Sequence, residues 1–133
     1  MRYLLDTNIC IYIAKQHPPE VLAHFNRLAS GEVAMSVVTY GELRFGAEKS
    51  TRSEVALRSL DEFIEAVPVL PFDKNAGANY GRLRRYLEQR GQPIGNNDLW
   101  IASHCLQLGL TLVTNNEREF RRIPNLAIEN WTH

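Results

Sequence analysis

Hydrophobic positions along the chain fall into short solid runs, separated by longer stretches where they recur every three or four residues. The first run, Arg2–Leu5, breaks off at Asp6-Thr7-Asn8, as a buried strand ending in a polar turn does. Ile9 to Lys15 then carries helical spacing behind three good N-cap residue types, and His17-Pro18-Pro19 stops it. Val21, Leu22, Phe25 and Leu28 predict an amphipathic helix from Glu20 to Leu28. A second apolar run, Val33 to Val38, predicts another strand, with Thr39 capping a helix that passes through Glu42 and Phe45 toward Lys49. Ser53 to Ala66 predicts a further amphipathic helix, and Val67 to Leu70 a short extended piece that Pro68 marks as an edge. Asp73 caps a long helix to Arg90. Gly91 to Gly95 form a loop, Asn97 or Asp98 opens the apolar helix Leu99 to Leu108, and Gly109 ends it. Thr111 to Thr114 predicts a third clear strand, Asn115 to Phe120 a turn and short helix, and Leu126 to Ile128 a last strand.

Strands thus alternate with helices, and the strands are apolar without strict alternation. That is the pattern of a parallel sheet covered on both faces. The expected fold class is α/β, a three-layer α/β/α sandwich around a central, mostly parallel sheet. With 133 residues and no linker, repeat or low-complexity tract, a single domain over residues 1–133 is expected.

Composition narrows the function classes. Hydrophobic residues make up 44% and charged residues 23%, which excludes a disordered or fibrous chain. Fifteen Lys and Arg balance fifteen Asp and Glu, so overall charge cannot drive nucleic-acid binding and only a local basic patch could. Two cysteines, Cys10 and Cys105, make neither a disulfide framework nor a metal spacing, and read as buried thiols in a reducing compartment. No signal-like segment and no apolar run of about 18 residues is present, so a cytoplasmic protein without membrane association is expected.

In open parallel sheets, ligands sit beyond the carboxyl ends of the strands. Asp6 follows the first strand and Glu42 lies about a turn into the helix after the second. Asp98 lies at the mouth of the helix before the third, and Thr114, Asn115, Asn116, Glu117 and Glu119 follow that strand. Each acid alone has an ordinary reading: Asp6 and Asp98 as N-caps, Glu42 as a solvated helix residue. Gathered at one edge, Asp6, Glu42 and Asp98 would repel one another and raise one another's pKa, a cost that a divalent cation removes. All-oxygen donors suit Mg²⁺ or Mn²⁺ rather than Zn²⁺, and such ions serve phosphoryl chemistry.

Leu5-Asp6-Thr7-Asn8, Thr39-x-x-Glu42, Pro93-Ile94-Gly95-x-x-Asp98-x-x-Ile101-Ala102 and Val113-Thr114-Asn115 with Glu119-Phe120 resemble, in order and along the whole chain, the motifs of PIN-domain ribonucleases. Within these, they are most similar to the VapC toxins of type II toxin–antitoxin modules. The resemblance implies a Mg²⁺- or Mn²⁺-dependent endoribonuclease inhibited by a VapB-type antitoxin. It implies metal ligation by Asp6 and Asp98, with Glu42 as third acid, and hydrolysis that leaves a 5′-phosphate and a 3′-hydroxyl. Thr7, Asn8 and Thr114 resemble the polar residues that orient carboxylates and phosphate in such sites. Where many relatives of this kind carry a fourth acid, this chain has Asn115-Asn116, which leaves Asn116 or Glu119 to take that place. By the same resemblance the target is RNA, with tRNA favoured. A homodimer and a larger toxin–antitoxin assembly are implied, with operator DNA reached only through the antitoxin.

Arg82, Arg84, Arg85 and Arg90 crowd the long helix before Asp98, and Arg118, Arg121 and Arg122 follow the last motif. Both clusters flank the acids in sequence and are candidates to steer an RNA backbone, against the alternative of solvated helix faces with pairs such as Arg84–Glu88. Trp100, two residues from Asp98, is the best candidate to stack on an unpaired base. The apolar stretches Ile9 to Ala14 and Leu43 to Ala47 suggest a hydrophobic groove for an antitoxin segment. His104 reads as a packed residue rather than a catalytic one. A non-catalytic binding module on the same fold, and a DNA or flap-type nuclease, are the competing readings.

Overall fold

Three of the solid apolar runs are the central strands of a sheet in the computed structural model, which describes residues 1–133. The strands are β1 (Tyr3–Leu5), β2 (Val33–Ser36), β3 (Val69–Leu70), β4 (Thr111–Val113) and β5 (Ile128–Glu129), in the order β3-β2-β1-β4-β5. Every neighbouring pair is parallel, with Leu4 of β1 opposite Ala34 on one side and Leu112 on the other. Pro68 sits just before the edge strand, where its missing N–H costs nothing, and its carbonyl accepts from the Met35 N–H at 2.8 Å.

Seven helices cover both faces: α1 (Thr7–Lys15), α2 (Pro19–Asn26), α3 (Val37–Glu48), α4 (Ser53–Ala66), α5 (Lys74–Gln89), α6 (Asn96–Leu108) and α7 (Glu117–Phe120). Alternate residues of each strand point to opposite faces. Tyr3, Leu5, Val33 and Met35 join Ile9 and Ile13 of α1 and Val21 of α2 in one core, against which Leu43 and Phe63 pack. Leu4, Ala34 and Leu112 join Leu87, Ile101, Cys105 and Phe120 in the other. The layers are therefore α1–α4, the sheet, and α5–α7. The expected α/β/α sandwich is present, and its sheet is wholly parallel. Both cysteines are free and buried, and no helix is long and apolar enough to cross a membrane.

Several boundaries differ from the sequence expectation. Val37 and Val38 belong to α3 rather than to a strand, because the Ser36 hydroxyl accepts from the Val38 N–H at 3.1 Å and starts the helix there. Ser36, not Thr39, is the cap, and Thr39 is buried inside α3. Gly95 is the N-cap of α6, so Asn97 and Asp98 lie within its first turn, and Asp98 is not spent on capping. The last strand is Ile128–Glu129 rather than Leu126 to Ile128. Asn125 bends the chain with φ 66°, and the ladder to β4 runs through the Ala127 and Glu129 carbonyls. Asp73 caps α5 as expected, accepting from the Asn75 and Ala76 N–H groups at 2.8 and 3.2 Å.

Gly109 ends α6 with φ 69°, where an L side chain is strained, and its N–H turns back to the Leu106 carbonyl. No heavy atom lies within 4 Å of where a Cβ would stand, so the cost of adding one is conformational. Gly109→Ala is expected to cost about 1 kcal/mol in denaturant unfolding; an unchanged midpoint would contradict this.

Candidate active site

The crossover that returns from β3 to β4 places β1 at the point where the strand order reverses, and Asp6 is the first residue beyond it. Its backbone N–H continues the ladder to the Val113 carbonyl at 3.0 Å, and one carboxylate oxygen accepts from the Ile9 N–H at 3.0 Å. Asp6 thus caps α1 and also faces the carboxyl edge of the sheet. The side chain is buried, and burial pushes its carboxyl from the ordinary 3.8 up to about 6. The Thr114 hydroxyl and the Ile9 N–H oppose that shift, and the Asp98 and Glu42 charges add to it.

Glu42 reaches the same edge from the second turn of α3. The Thr7 hydroxyl donates to its Oε1 at 2.6 Å and lies 3.2 Å from the Thr39 hydroxyl. Asp98 is half-buried in the first turn of α6. Its carboxyl is also raised, first by burial, then by the Glu119 and Glu42 charges. Thr114 is buried at the end of β4, and its hydroxyl accepts from the Asn116 N–H at 2.9 Å. The Asn116 amide in turn donates to Glu119 Oε2 at 3.0 Å, aiming a fourth acid toward Asp98.

Asp6, Glu42, Asp98 and Glu119 therefore face one another from four different elements. They form a loose ring: no three of them stand in a ready-made metal cage. The donors are all oxygen, and two of the four carboxyls are pushed up by burial and by their neighbours' charge. That donor set fits a hard divalent cation such as Mg²⁺ or Mn²⁺, which would relieve the repulsion. Asn8 is exposed in the first turn of α1.

Ser36 escaped the sequence, and His104 does more than the packing expected of it. Ser36 and His104 are both fully buried. The His104 Nδ1 lies 2.9 Å from the Ser36 hydroxyl and its Nε2 3.1 Å from the Pro71 carbonyl. Burial lowers the His104 pKa, and the ring ties α6, which bears Asp98, to the start of α3, which bears Glu42. A serine interrupting the apolar run Val33 to Val38 was the one available signal.

The basic residues divide. Arg84 is spent on Glu88 at 2.9 Å and on the Tyr80 hydroxyl at 3.0 Å, and Arg82 on the Asn79 side chain. Arg85 shares an exposed surface with Arg84 and Glu88. Arg90 instead meets Arg118, Arg121 and Arg122 in one groove. Trp100 lies half-buried with one face stacked on Tyr80, ring centroids 3.8 Å apart, and Phe72 tilted against it at 5.2 Å. That face is closed to a base.

The apolar residues of α1 and α3 do form a groove, with α4 as its third wall. Cys10, Ile11, Ala14, Leu43, Leu60 and Phe63 line it, and Phe45, 65% exposed, stands on the neighbouring turn of α3.

A family model described as PIN domain matches residues 3–126. The chain is 45% identical over 132 residues to "Ribonuclease VapC2" of Rickettsia felis, covering 98% of each. It is 41% identical to "tRNA(fMet)-specific endonuclease VapC" of Shigella flexneri, covering 99% of each. Among solved structures it is similar to a chain of the DNA-bound VapBC from Salmonella typhimurium, with a TM-score of 0.92, 40% identity and 98% of each chain covered.

Proposed function

The chain belongs to the PIN-domain family, among the VapC ribonucleases, and on that premise we propose that it is a toxin that cleaves RNA in a divalent-metal-dependent way and is silenced by a VapB-type antitoxin. The observation that carries this reading is the ring of four acids at the carboxyl edge of a parallel sheet, two of which, Asp6 and Asp98, are raised by burial and by neighbouring charge. The favoured substrate class is tRNA, supported by the 41% identical relative from Shigella flexneri, a tRNA(fMet)-specific endonuclease.

Asp6, Glu42 and Asp98 would hold Mg²⁺ or Mn²⁺, with Glu119 beside them. Bound there, such an ion would supply Lewis-acid activation of water and neutralisation of phosphate charge. Asp6, fixed by the Ile9 N–H and the Thr114 hydroxyl, keeps one carboxylate edge toward the ring. Thr7 holds Glu42 in place through a short hydroxyl bond, and Asn116 does the same for Glu119. The orienting groups are neutral donors, so they aim the carboxylates without discharging them. His104 is committed on both ring nitrogens to Ser36 and Pro71 and takes no part in proton transfer. The apolar groove of α1, α3 and α4 accommodates an apolar antitoxin segment, and the chain works in the cytoplasm as a homodimer within a larger toxin–antitoxin assembly.

The test is the purified chain, freed of its partner, incubated with total tRNA in Mg²⁺ or in EDTA. Cleavage in Mg²⁺ that EDTA stops is expected; cleavage indifferent to EDTA, or none with metal, refutes the reading. Thr7→Val removes the hydroxyl that orients Glu42 and keeps the side-chain shape. It is expected to slow cleavage about tenfold with the fold intact, read as initial rates at saturating Mg²⁺; an unchanged rate would show that Glu42 needs no orientation.

A further inference from the structure

We propose that the groove between the C-terminal end of α5 and α7 is the track on which the RNA sugar–phosphate backbone lies, and that it reads phosphate and not base. This deepens the ribonuclease reading and rests on it. Tyr86, Arg90, Gln92, Arg118, Arg121 and Arg122 line the groove, and no carboxylate is among them. In a chain whose cations and anions are equal in number, four guanidinium groups in one concavity make a strong local excess.

These arginines are set for phosphate. The Arg90 guanidinium carbon lies 3.9 Å from the centre of the Tyr86 ring, which fixes its plane and leaves its N–H edge outward. That same stacking occupies one face of Tyr86, the only aromatic residue lining the groove, and closes that face to a base. Arg122 donates one N–H to the Pro93 carbonyl at 3.0 Å and keeps its other donors. Arg118 is exposed and makes no ion pair. Arg121 pairs only with Glu117, at 3.2 Å, with its own side chain 70% exposed, a pairing that a phosphate can displace.

Position completes the case. Glu119, whose charge raises Asp98, sits on α7 between Arg118 and Arg121, and Pro93 leads into the loop before α6. The groove therefore adjoins the acidic ring through two shared segments. The acids repel an approaching phosphodiester, and cations beside them hold the neighbouring phosphates so that one can be presented. The second arginine surface, with Arg84 and Arg85, carries Glu88 as a partner and lacks this continuity. A protein segment is a poorer match, since the groove offers no free apolar lining, whereas the opposite layer does.

The test is binding in EDTA, so that RNA is held without being cut. Fluorescence anisotropy follows labelled single-stranded oligoribonucleotides of two unrelated sequences across a KCl series. For Arg90→Ala/Arg118→Ala, binding is expected to weaken about tenfold or more on both sequences alike, with the slope of log affinity against log salt reduced by about 1.4, from roughly 0.7 per phosphate contact. Both side chains are exposed, so folding should persist; Arg118→Glu alone, checked by its unfolding midpoint, gives the same direction. Arg27→Ala, an exposed cation at the end of α2 in the opposite layer, should bind as wild type. If wild type binds and cleaves RNA while the double variant keeps its affinity and slope, the groove assignment falls and the ribonuclease reading stands. A loss confined to one sequence, a loss only with Arg84→Ala/Arg85→Ala, or unchanged RNA binding with loss of antitoxin binding would each overturn it. If wild type neither binds nor cleaves RNA, the ribonuclease reading itself fails.

Discussion

Asp6→Asn is expected to lower RNA cleavage by about a thousandfold or more and, in the same protein, to raise its resistance to unfolding. The two effects share one cause. Asp6 as a residue is 5% exposed, and burial first, helped by Asp98 and Glu42, lifts its carboxyl from 3.8 to about 6. Between those values the folded chain keeps a proton that the unfolded chain releases, so stability falls as pH rises through that window and stays reduced above it. At neutral pH the charged Asp6 costs up to about 3 kcal/mol, from roughly 1.4 kcal/mol per unit. Asparagine is neutral, of the same shape, and as good an N-cap, so it keeps the Ile9 bond while removing the charge. A gain of about 2 kcal/mol, or about 5 °C or more in Tm, is expected near pH 7.5 for a domain of this size, shrinking toward zero near pH 4. Cleavage assays and thermal unfolding at both pH values check it. A destabilised, inactive variant would make Asp6 a structural cap only; a stable, active one would remove it from the chemistry. Asp98→Asn should likewise abolish cleavage, because Asp98 lies in the first turn of α6 and is not used as its cap.

Phe120→Ala is expected to be among the most damaging single changes to stability, at about 3–4 kcal/mol in denaturant unfolding. Phe120 is fully buried in the α5–α7 core and is the only buried residue of α7, a single turn with little hold of its own. That turn carries Glu119 on the acidic ring and Arg118 in the basic groove. Loss of the anchor should therefore cut cleavage and RNA binding even at temperatures where the protein remains folded. A loss under about 1 kcal/mol, or full activity in a destabilised protein, would show that α7 is held by something other than this ring.

The alternation of strands and helices was legible because each carries its own period, and the strand-end position of Asp6 follows from that alone. Asp73 and Gly109 did what their residue types favour at helix ends. What was not legible depended on contacts between distant segments. Val37 and Val38 have strand propensity, yet Ser36 captures the Val38 N–H and turns them into helix. Asp98 has a capping side chain, yet Gly95 starts α6 a turn earlier and leaves it free to face Glu119. Arg90 stands among the α5 arginines in sequence, but the helix ends beside α7, and its partners in space are Arg118, Arg121 and Arg122. Trp100 has one face stacked on Tyr80, twenty residues earlier, a contact that its place beside Asp98 does not announce. The gathering of the four acids is of the same kind: spacing suggests it, and only the parallel sheet order brings them to one edge.

The most direct measurement is calorimetric titration of Mn²⁺ into the partner-free chain at pH 6 and pH 7.5, with Asp98→Asn in parallel. Saturable binding is expected in the wild type, weaker at pH 6 with protons released as Asp6 ionises, and lost in the variant. Absence of saturable Mn²⁺ binding in the wild type, or equal binding in Asp98→Asn, would contradict a metal held by Asp6, Glu42 and Asp98.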